Sequence, residues 1–87
     1  MVYEIVFSKN FGRSLRKIVR NNPKLKAKIR KQVELLSLDP RHSSLRIHKL
    51  SGTNNWSVSV TDDMRIIFTI DGKTVLCNRI GSHDEVY

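Results

Sequence analysis

The pattern of hydrophobic and polar positions is clearest in the last third of the chain. Trp56–Val60 alternates apolar residues with serines, as a strand that buries one face requires. Met64–Ile70 is a short, β-branched apolar run, which favours a strand over a helix. Asp71 and Gly72 indicate a two-residue type I′ hairpin loop, because such a loop needs positive φ at both central positions. The returning strand is then predicted at Val75–Ile80.

This hairpin predicts a register and a meeting point. With Asp71 and Gly72 as the loop, Phe68 lies opposite Val75, and Arg65 lies opposite Asn78. The preceding strand would fold back through residues 61–63, at the end of the sheet where the last strand finishes.

We therefore expect a cation, two carboxylates, an imidazole and a phenol to converge at one edge of the sheet. These groups are Arg65, Asp62, Asp63, His83 and Tyr87. Together, these side-chain groups could bind or cleave a phosphodiester.

The first half of the chain predicts one strand and two helices. Val2–Phe7 reads as a strand, and Ser8 is suited to cap a helix that runs to about Asn22. Asn22 and Pro23 then indicate the start of a second helix, which ends before Asp39. Each helix has one apolar stripe, so the pair is expected to form an antiparallel hairpin on the sheet.

Leu45–Leu50 also reads as a strand. The expected element order, β-α-α-β-β-β, counts four of the five candidate strand segments. The 87 residues thus predict one α+β domain, 1–87, whose helices cover one face of a mainly antiparallel, four-stranded sheet.

Charge narrows the class of partner. The chain has 16 basic and 8 acidic residues, a formal net charge of +8, which favours a polyanionic partner. Ten of the basic residues lie between Lys9 and Lys31, where there is no acid. This stretch is either a solvated outer face or a surface for phosphate or an acidic partner, and we favour the second. The candidate RNA-binding residues are Lys9, Arg13, Arg16, Lys17, Arg20, Lys24, Lys28, Lys31 and Lys49.

Other features exclude several classes. The single cysteine, Cys77, rules out an intrachain disulfide and a cysteine-based zinc site, and a small buried thiol is expected. Asp62 and Asp63 are too few carboxylates for a two-metal nuclease, so no metal or cofactor is expected. No signal peptide or membrane-spanning run is evident, which predicts a cytoplasmic protein without a membrane partner.

Four segments carry a family resemblance. KLSG before the Trp56 strand, MRIIF, IDGKTVL and the terminal IGSHDEVY resemble the RelE/ParE superfamily of bacterial type II toxin–antitoxin toxins, most closely the YafQ-like and RelE-like branches. The resemblance implies a microbial-RNase-like fold. It also implies a ribosome-dependent mRNA endonuclease, monomeric alone, which an acidic segment of a cognate antitoxin covers in a higher-order complex.

The resemblance also implies roles for four residues. His48 and His83 match active-site histidines of the YafQ-like branch, Arg65 matches the strand arginine that acts on the scissile phosphate, and Tyr87 matches a terminal aromatic residue. Two departures stand out. RelE-like toxins have a second arginine near the position of Thr61, and YafQ-like toxins have a histidine and an Asp-Trp pair in the turn where this chain has only the two aspartates and Arg65.

Metal-free RNA cleavage requires a base for the 2′-OH, an acid for the departing 5′-oxygen and a cation for the charge on phosphorus. His83 is the first candidate for acid or base, because histidine titrates nearest neutral pH. His48 is the second, with Asp62 or Asp63 as a weaker alternative. Arg65 offers a planar fork of donors to phosphate oxygens. Tyr87 would stack on a base or orient an oxygen.

Each assignment has a simpler alternative. His48 and His83 could be solvated surface residues, Arg65 could pair with an adjacent aspartate, and Tyr87 could be frayed at the chain end. For the whole protein, two alternatives to the endonuclease remain. One is a ParE-like, non-enzymatic DNA gyrase poison, and the other is a plain RNA-binding module.

Overall fold

Two helices pack on one face of a five-stranded sheet in the computed structural model, which describes residues 2–82 and Val86. In chain order the elements are β1 (Glu4–Phe7), α1 (Lys9–Val19), α2 (Pro23–Leu38), a short 3-10 helix (Ser43–Leu45), β2 (His48–Lys49), β3 (Trp56–Ser59), β4 (Met64–Asp71) and β5 (Thr74–Ser82). The strand order across the sheet is β1-β5-β4-β3-β2. β1 runs parallel to β5, and the remaining pairs are antiparallel. The predicted α+β class is confirmed.

Both helices begin at the N-cap residues that the sequence predicts. The Ser8 hydroxyl accepts from Phe11 N at 3.0 Å, and the Asn22 side chain accepts from Leu25 N at 3.2 Å, as helix N-caps do. α1 ends at Val19, earlier than expected, and Asn21 then takes a left-handed conformation with φ 58°. This conformation cannot continue a right-handed helix.

The core lies between the helices and the sheet. α1 contributes Phe11 and α2 contributes Leu36, and both are fully buried against Ile66, Phe68 and Val75 of the central strands. Burial of this apolar surface supplies most of the driving force for folding. Trp56 packs against the core but is only partly buried.

The β4–β5 hairpin forms, but its predicted register is wrong. Asp71 pairs with Thr74, so the loop is Gly72 and Lys73. Gly72 has φ 59° and Lys73 has no positive φ, which is the pattern of a type II′ turn, not a type I′ turn. The shifted loop moves every pairing by two residues, so that Phe68 lies opposite Cys77.

A β-bulge then adds one more residue to the shift. The register changes between Ile67 and Phe68, with Asn78 as the additional residue on β5. Arg65 therefore lies opposite Gly81 instead of Asn78. The bulge meets the start of α1, since the Ser8 hydroxyl donates to the Asn78 carbonyl at 3.0 Å.

The segment expected as a Leu45–Leu50 strand is also different. Leu45 is fully buried in the 3-10 helix, and Arg46 follows in a left-handed conformation with φ 48° and ψ 50°. This conformation interrupts the extended chain, and only His48–Lys49 pairs with β3. That pairing places a fifth strand at the sheet edge, where the expected order had four.

The first strand begins at Glu4 instead of Val2. Tyr3 N donates to the Ser37 carbonyl at 2.8 Å, and the Ser37 hydroxyl donates back to the Tyr3 carbonyl, so Tyr3 pairs with the end of α2. Among the residues described, no helix has both the length and the apolar character needed to cross a membrane.

Candidate functional site

The two faces of the sheet have different chemistry. Along β4, Ile66 and Phe68 pack toward the helices, so strand alternation places Arg65 and Ile67 on the opposite face, here called the site face. The pairing defines two neighbouring rows on this face. One row is His48, Ser57, Ile67 and Arg79, and the next is Ser59, Arg65 and Gly81.

Arg65 is held on the site face by two contacts. Its Nε donates a short hydrogen bond to the hydroxyl of Ser57, which is completely buried. Its Nη2 donates to the carbonyl oxygen of Arg46 at 2.9 Å. Neither contact is to an acid, so the alternative pairing with an adjacent aspartate is not how Arg65 is anchored. Among the described residues, these contacts use two of the five donors of the guanidinium.

His48 lies beside the same anchor. It is an exposed residue of β2 and is paired directly with Ser57 of β3. Directly opposed residues in an antiparallel pair have Cβ atoms roughly 4.5–5.5 Å apart. The structure therefore brings His48 and Arg65 to two sides of one serine, which connects two of the predicted site residues.

The predicted carboxylates lie in the turn between β3 and β4. The Thr61 hydroxyl accepts from Asp63 N at 3.3 Å and from Met64 N at 2.9 Å, which fixes the turn. Asp62 and Asp63 are exposed. They border an open groove of about 550 Å³, here called the α2–turn groove, whose lining residues are Lys28, Lys31, Gln32, Ser44, Arg46, Ser59, Val60, Thr61, Asp62 and Asp63.

The remaining predicted catalytic residues, His83 and Tyr87, lie outside the described residues. The last described residue of β5 is Ser82, which pairs with Met64, next to Arg65. The pairing thus brings the described end of β5 to the same end of the sheet as Arg65, as the convergence expected from the sequence requires.

The predicted RNA-binding residues are distributed over several surfaces. Lys28 and Lys31 line the α2–turn groove. Lys49 pairs with Trp56, and its ammonium lies 5.9 Å from the centre of that indole ring, so it belongs to the helix side of the sheet and not to the site face. The others are exposed on the helices or between them: Lys9, Arg13, Arg16, Lys17, Arg20 and Lys24.

Sequence reasoning missed three residues near the site. Arg46 supplies a carbonyl to Arg65, Arg79 shares a row with Ser57, and Gln32 joins α2 to the site strands. Strand periodicity could have identified Arg79, given the correct register. The sequence carried no signal for the other two, because their roles depend on a left-handed backbone and on packing between elements.

Metal ligation and thiol chemistry are not features of the described site. Within residues 2–82 and Val86, no cluster of three or more His, Cys, Asp or Glu side chains is arranged to hold a metal ion. The predicted burial of Cys77 is confirmed, and burial raises the pKa of this thiol to about 12. A neutral thiol is a poor nucleophile, so Cys77 acts as a small core residue.

The same architecture occurs in solved toxin structures. The chain superposes on the toxin of the Escherichia coli DinJ–YafQ toxin–antitoxin complex with a TM-score of 0.81 and 19% identity, covering 100% of this chain and 99% of that one. A metal-bound toxin from Helicobacter pylori gives a TM-score of 0.80 with 26% identity over 98% and 99% of the two chains. The heterotetrameric YoeB–YefM complex from Staphylococcus aureus gives 0.79 with 17% identity over 95% and 99%.

These likenesses define the fold as that of the RelE-like toxins. A search of curated proteins found no significant match. The family model described as "Bacterial toxin of type II toxin-antitoxin system, YafQ" matches residues 3–87. The chain belongs to the YafQ family of type II toxin–antitoxin toxins.

Proposed function

We propose that this toxin is a ribosome-dependent mRNA endonuclease that inhibits translation by cleaving the RNA backbone through its own 2′-OH. The observation that carries the proposal is the anchoring of Arg65 to Ser57 and Arg46 on the site face, with His48 paired to the same serine. A cation that the fold holds in place can stabilise developing phosphate charge without reorganisation during the reaction.

Each step of the reaction has a candidate group. Attack of the 2′-oxygen on phosphorus forms a 2′,3′-cyclic phosphate and breaks the bond to the 5′-oxygen. A base removes the 2′-OH proton, and an acid protonates the departing 5′-oxygen. Positioned proton transfer of this kind accelerates reactions by roughly 10² to 10⁴. His83 and His48 are the candidate proton carriers, with Asp62 or Asp63 as the alternative, and Tyr87 would orient the substrate.

The charge distribution is consistent with RNA as the partner. The net charge is +8, and the stretch from Lys9 to Lys31 is free of acids. These exposed basic residues would contact ribosomal RNA by phosphate neutralisation, which does not depend on base sequence. The same charge would attract an acidic antitoxin segment. Two of the similar structures, the DinJ–YafQ and YoeB–YefM complexes, contain an antitoxin, which supports an antitoxin as the partner that keeps this toxin silent.

Inducing the protein in a bacterial cell and mapping mRNA 5′ ends tests the proposal. We expect cuts in phase with codons for the wild type, and their loss in His83→Ala and Arg65→Gln. Arg41→Gln is the matched control, because it removes the same charge from an exposed residue that borders a cavity with Trp56 and Ile70 on the helix side. Growth arrest with intact mRNA and inhibited DNA supercoiling would contradict the proposal and indicate a gyrase poison.

A further inference from the structure

We propose that the α2–turn groove is a second phosphate subsite, in which Arg46, Lys28 and Lys31 bind the phosphate next to the one at Arg65. This inference rests on the proposed function, since it assumes a single RNA strand that runs from Arg65 on the site face past Arg46 to α2. In this proposal Arg46 contacts the ligand. Lys28 and Lys31 bind the substrate strand, whereas the other basic residues of the helices would contact ribosomal RNA.

The groove is continuous with the Arg65 site. Arg46 borders the groove, and its carbonyl oxygen is 2.9 Å from Nη2 of Arg65. Ser59 also borders the groove and is paired with Arg65 in the β3–β4 ladder. Arg46 is therefore shared by the groove and by the anchor of Arg65, and a strand with one phosphate at Arg65 would enter the groove past Arg46.

The walls of the groove are fixed to one another. Gln32 is 9% exposed, and its Nε2 donates to the Ser59 carbonyl at 2.6 Å and to the Ser44 carbonyl at 3.5 Å. This single side chain joins α2 to β3 and to the 3-10 helix. Lys28 lies one helical turn before Gln32, and Lys31 immediately precedes it, so both lysines are placed by the same anchor.

The charges around the groove suit one phosphodiester. Three cations and two carboxylates, those of Asp62 and Asp63, line it, which leaves one surplus positive charge. A phosphodiester carries one negative charge. The carboxylates belong to the turn between β3 and β4, whereas the cations belong to α2 and to the residue after the 3-10 helix. This separation of charge favours a ligand that lies against the cationic wall.

The backbone at Arg46 supports a specific role for this residue. A left-handed conformation is uncommon for residues other than glycine, asparagine and aspartate. Here φ is 48° and ψ is 50°. A conformation of this kind persists where the surroundings fix it, and such positions cluster at functional sites. At Arg46 it directs the carbonyl to Arg65 while the residue remains exposed at the groove.

Binding of a non-cleavable RNA tests the subsite separately from cleavage. The probe is a fluorescein-labelled 2′-O-methyl hexaribonucleotide, which lacks the attacking hydroxyl, and the readout is fluorescence anisotropy over a series of KCl concentrations. Arg46→Gly removes the side chain, keeps the carbonyl that Arg65 requires and suits the left-handed backbone. We expect it to weaken binding by about tenfold, the usual size for one charged hydrogen bond.

The salt dependence identifies a phosphate contact. Arg46→Gly, Lys28→Gln and Lys31→Gln should each reduce the slope of log affinity against log salt by about 0.7, the value for one contact to single-stranded nucleic acid. Arg41→Gln, which removes the same charge elsewhere, should leave the slope unchanged. Arg46→Asn, also tolerant of the left-handed conformation, is the second variant, and circular dichroism checks that each variant is folded.

Three results would overturn the subsite. These are equal slopes for Arg46→Gly and Arg41→Gln, no loss of affinity in folded Arg46→Gly and Arg46→Asn, and no binding of the probe by the wild type. If any of these three results is found together with codon-phased cleavage, the subsite proposal is wrong and the proposed function stands. If RNA binding depends on Arg46 but no mRNA is cleaved, the proposed endonuclease activity is wrong instead.

Discussion

The guanidinium of Arg65 donates through Nε to the hydroxyl of Ser57, a residue of the neighbouring strand with no exposed surface. Ser57 is not directly opposite Arg65, because that place belongs to Ser59. The side chain therefore crosses diagonally to the next row, toward His48. This diagonal contact positions the cation between two strands and the Arg46 carbonyl, and the account of the site depends on it.

Removal of the Ser57 hydroxyl should release one side of Arg65. We expect Ser57→Ala to lower the free energy of unfolding by about 1–3 kcal/mol, since the hydrogen bond has a charged donor and a buried acceptor. RNA cleavage should fall as well, but less than in Arg65→Gln. Urea unfolding and mRNA cleavage measure the two effects. Ser59→Ala is the control, because its hydroxyl donates to Thr61 O and not to Arg65. Equal cleavage by the two serine variants would contradict the role of Ser57.

Gln32 should be essential for attachment of α2 to the site strands. Gln32→Leu keeps a similar volume but removes the donor to the Ser59 carbonyl, leaving a part-buried acceptor without this partner. We expect a loss of about 1–3 kcal/mol in the free energy of unfolding, measured by urea denaturation. Glu34→Ala, an exposed position on the same helix, should change it by less than about 0.5 kcal/mol. A Gln32→Leu variant as stable as Glu34→Ala would show that the hydrogen bond contributes nothing.

The two helix caps should differ in importance. The Ser8 hydroxyl accepts from Phe11 N and also donates to the carbonyl at the β5 bulge, whereas the Asn22 side chain makes only an exposed cap. Helix caps contribute about 0.5–2 kcal/mol. We expect Ser8→Ala to lie near the upper limit and Asn22→Ala near the lower one, as measured by thermal unfolding. The reverse order would mean that the contact with the bulge is not stabilising.

Cys77 should be inert in the folded protein. Its pKa is raised from 9.0 to about 12 by burial, so the reactive thiolate is disfavoured. Iodoacetamide at pH 8 should leave the native protein unmodified and alkylate the urea-unfolded chain, as mass spectrometry would show. The unfolded chain ionises first as pH rises, so the contribution of this thiol to stability is complete below pH 9 and declines between 9.0 and about 12. Rapid alkylation of the native protein would contradict this burial.

The sequence was sufficient for the helices and the class of fold, for identifiable physical reasons. Ser8, Asn22 and Pro23 are local signals, and a cap acts within one turn of the helix that it starts. Alternating hydrophobicity located β3, and a short β-branched apolar run located β4, each to within a residue or so. These features depend on neighbours in the chain, which the sequence displays directly.

The register between strands was harder to predict from the sequence. Asp71-Gly72 suits a type I′ loop, and the choice of Gly72-Lys73 depends on the packing of the whole sheet. The bulge at Asn78 is in contact with Ser8, 70 residues away in the chain. Such tertiary contacts leave no local pattern, which is why Arg65 was assigned the wrong partner.

For the candidate site, the sequence singled out Arg65 and His48 but not the groups that hold Arg65 in place. Arg65 and His48 do lie on one face around Ser57, although His48 was expected in a longer strand. The hydroxyl and the carbonyl that anchor Arg65 were not foreseen. Arg46 in particular could not be found from the pattern, because its role comes from a left-handed backbone inside a segment that reads as extended.

The most direct test of the central claim is the chemistry of the RNA ends made by purified protein on translating ribosomes. We expect mRNA fragments that end in a 2′,3′-cyclic phosphate, formed by the wild type and by Arg41→Gln but at least 100-fold more slowly by Arg65→Gln. This factor is in line with the roughly 10² to 10³ that one charge-stabilising donor contributes. Equal rates for Arg65→Gln and Arg41→Gln, or an absence of cleaved mRNA with all three proteins, would contradict the central claim.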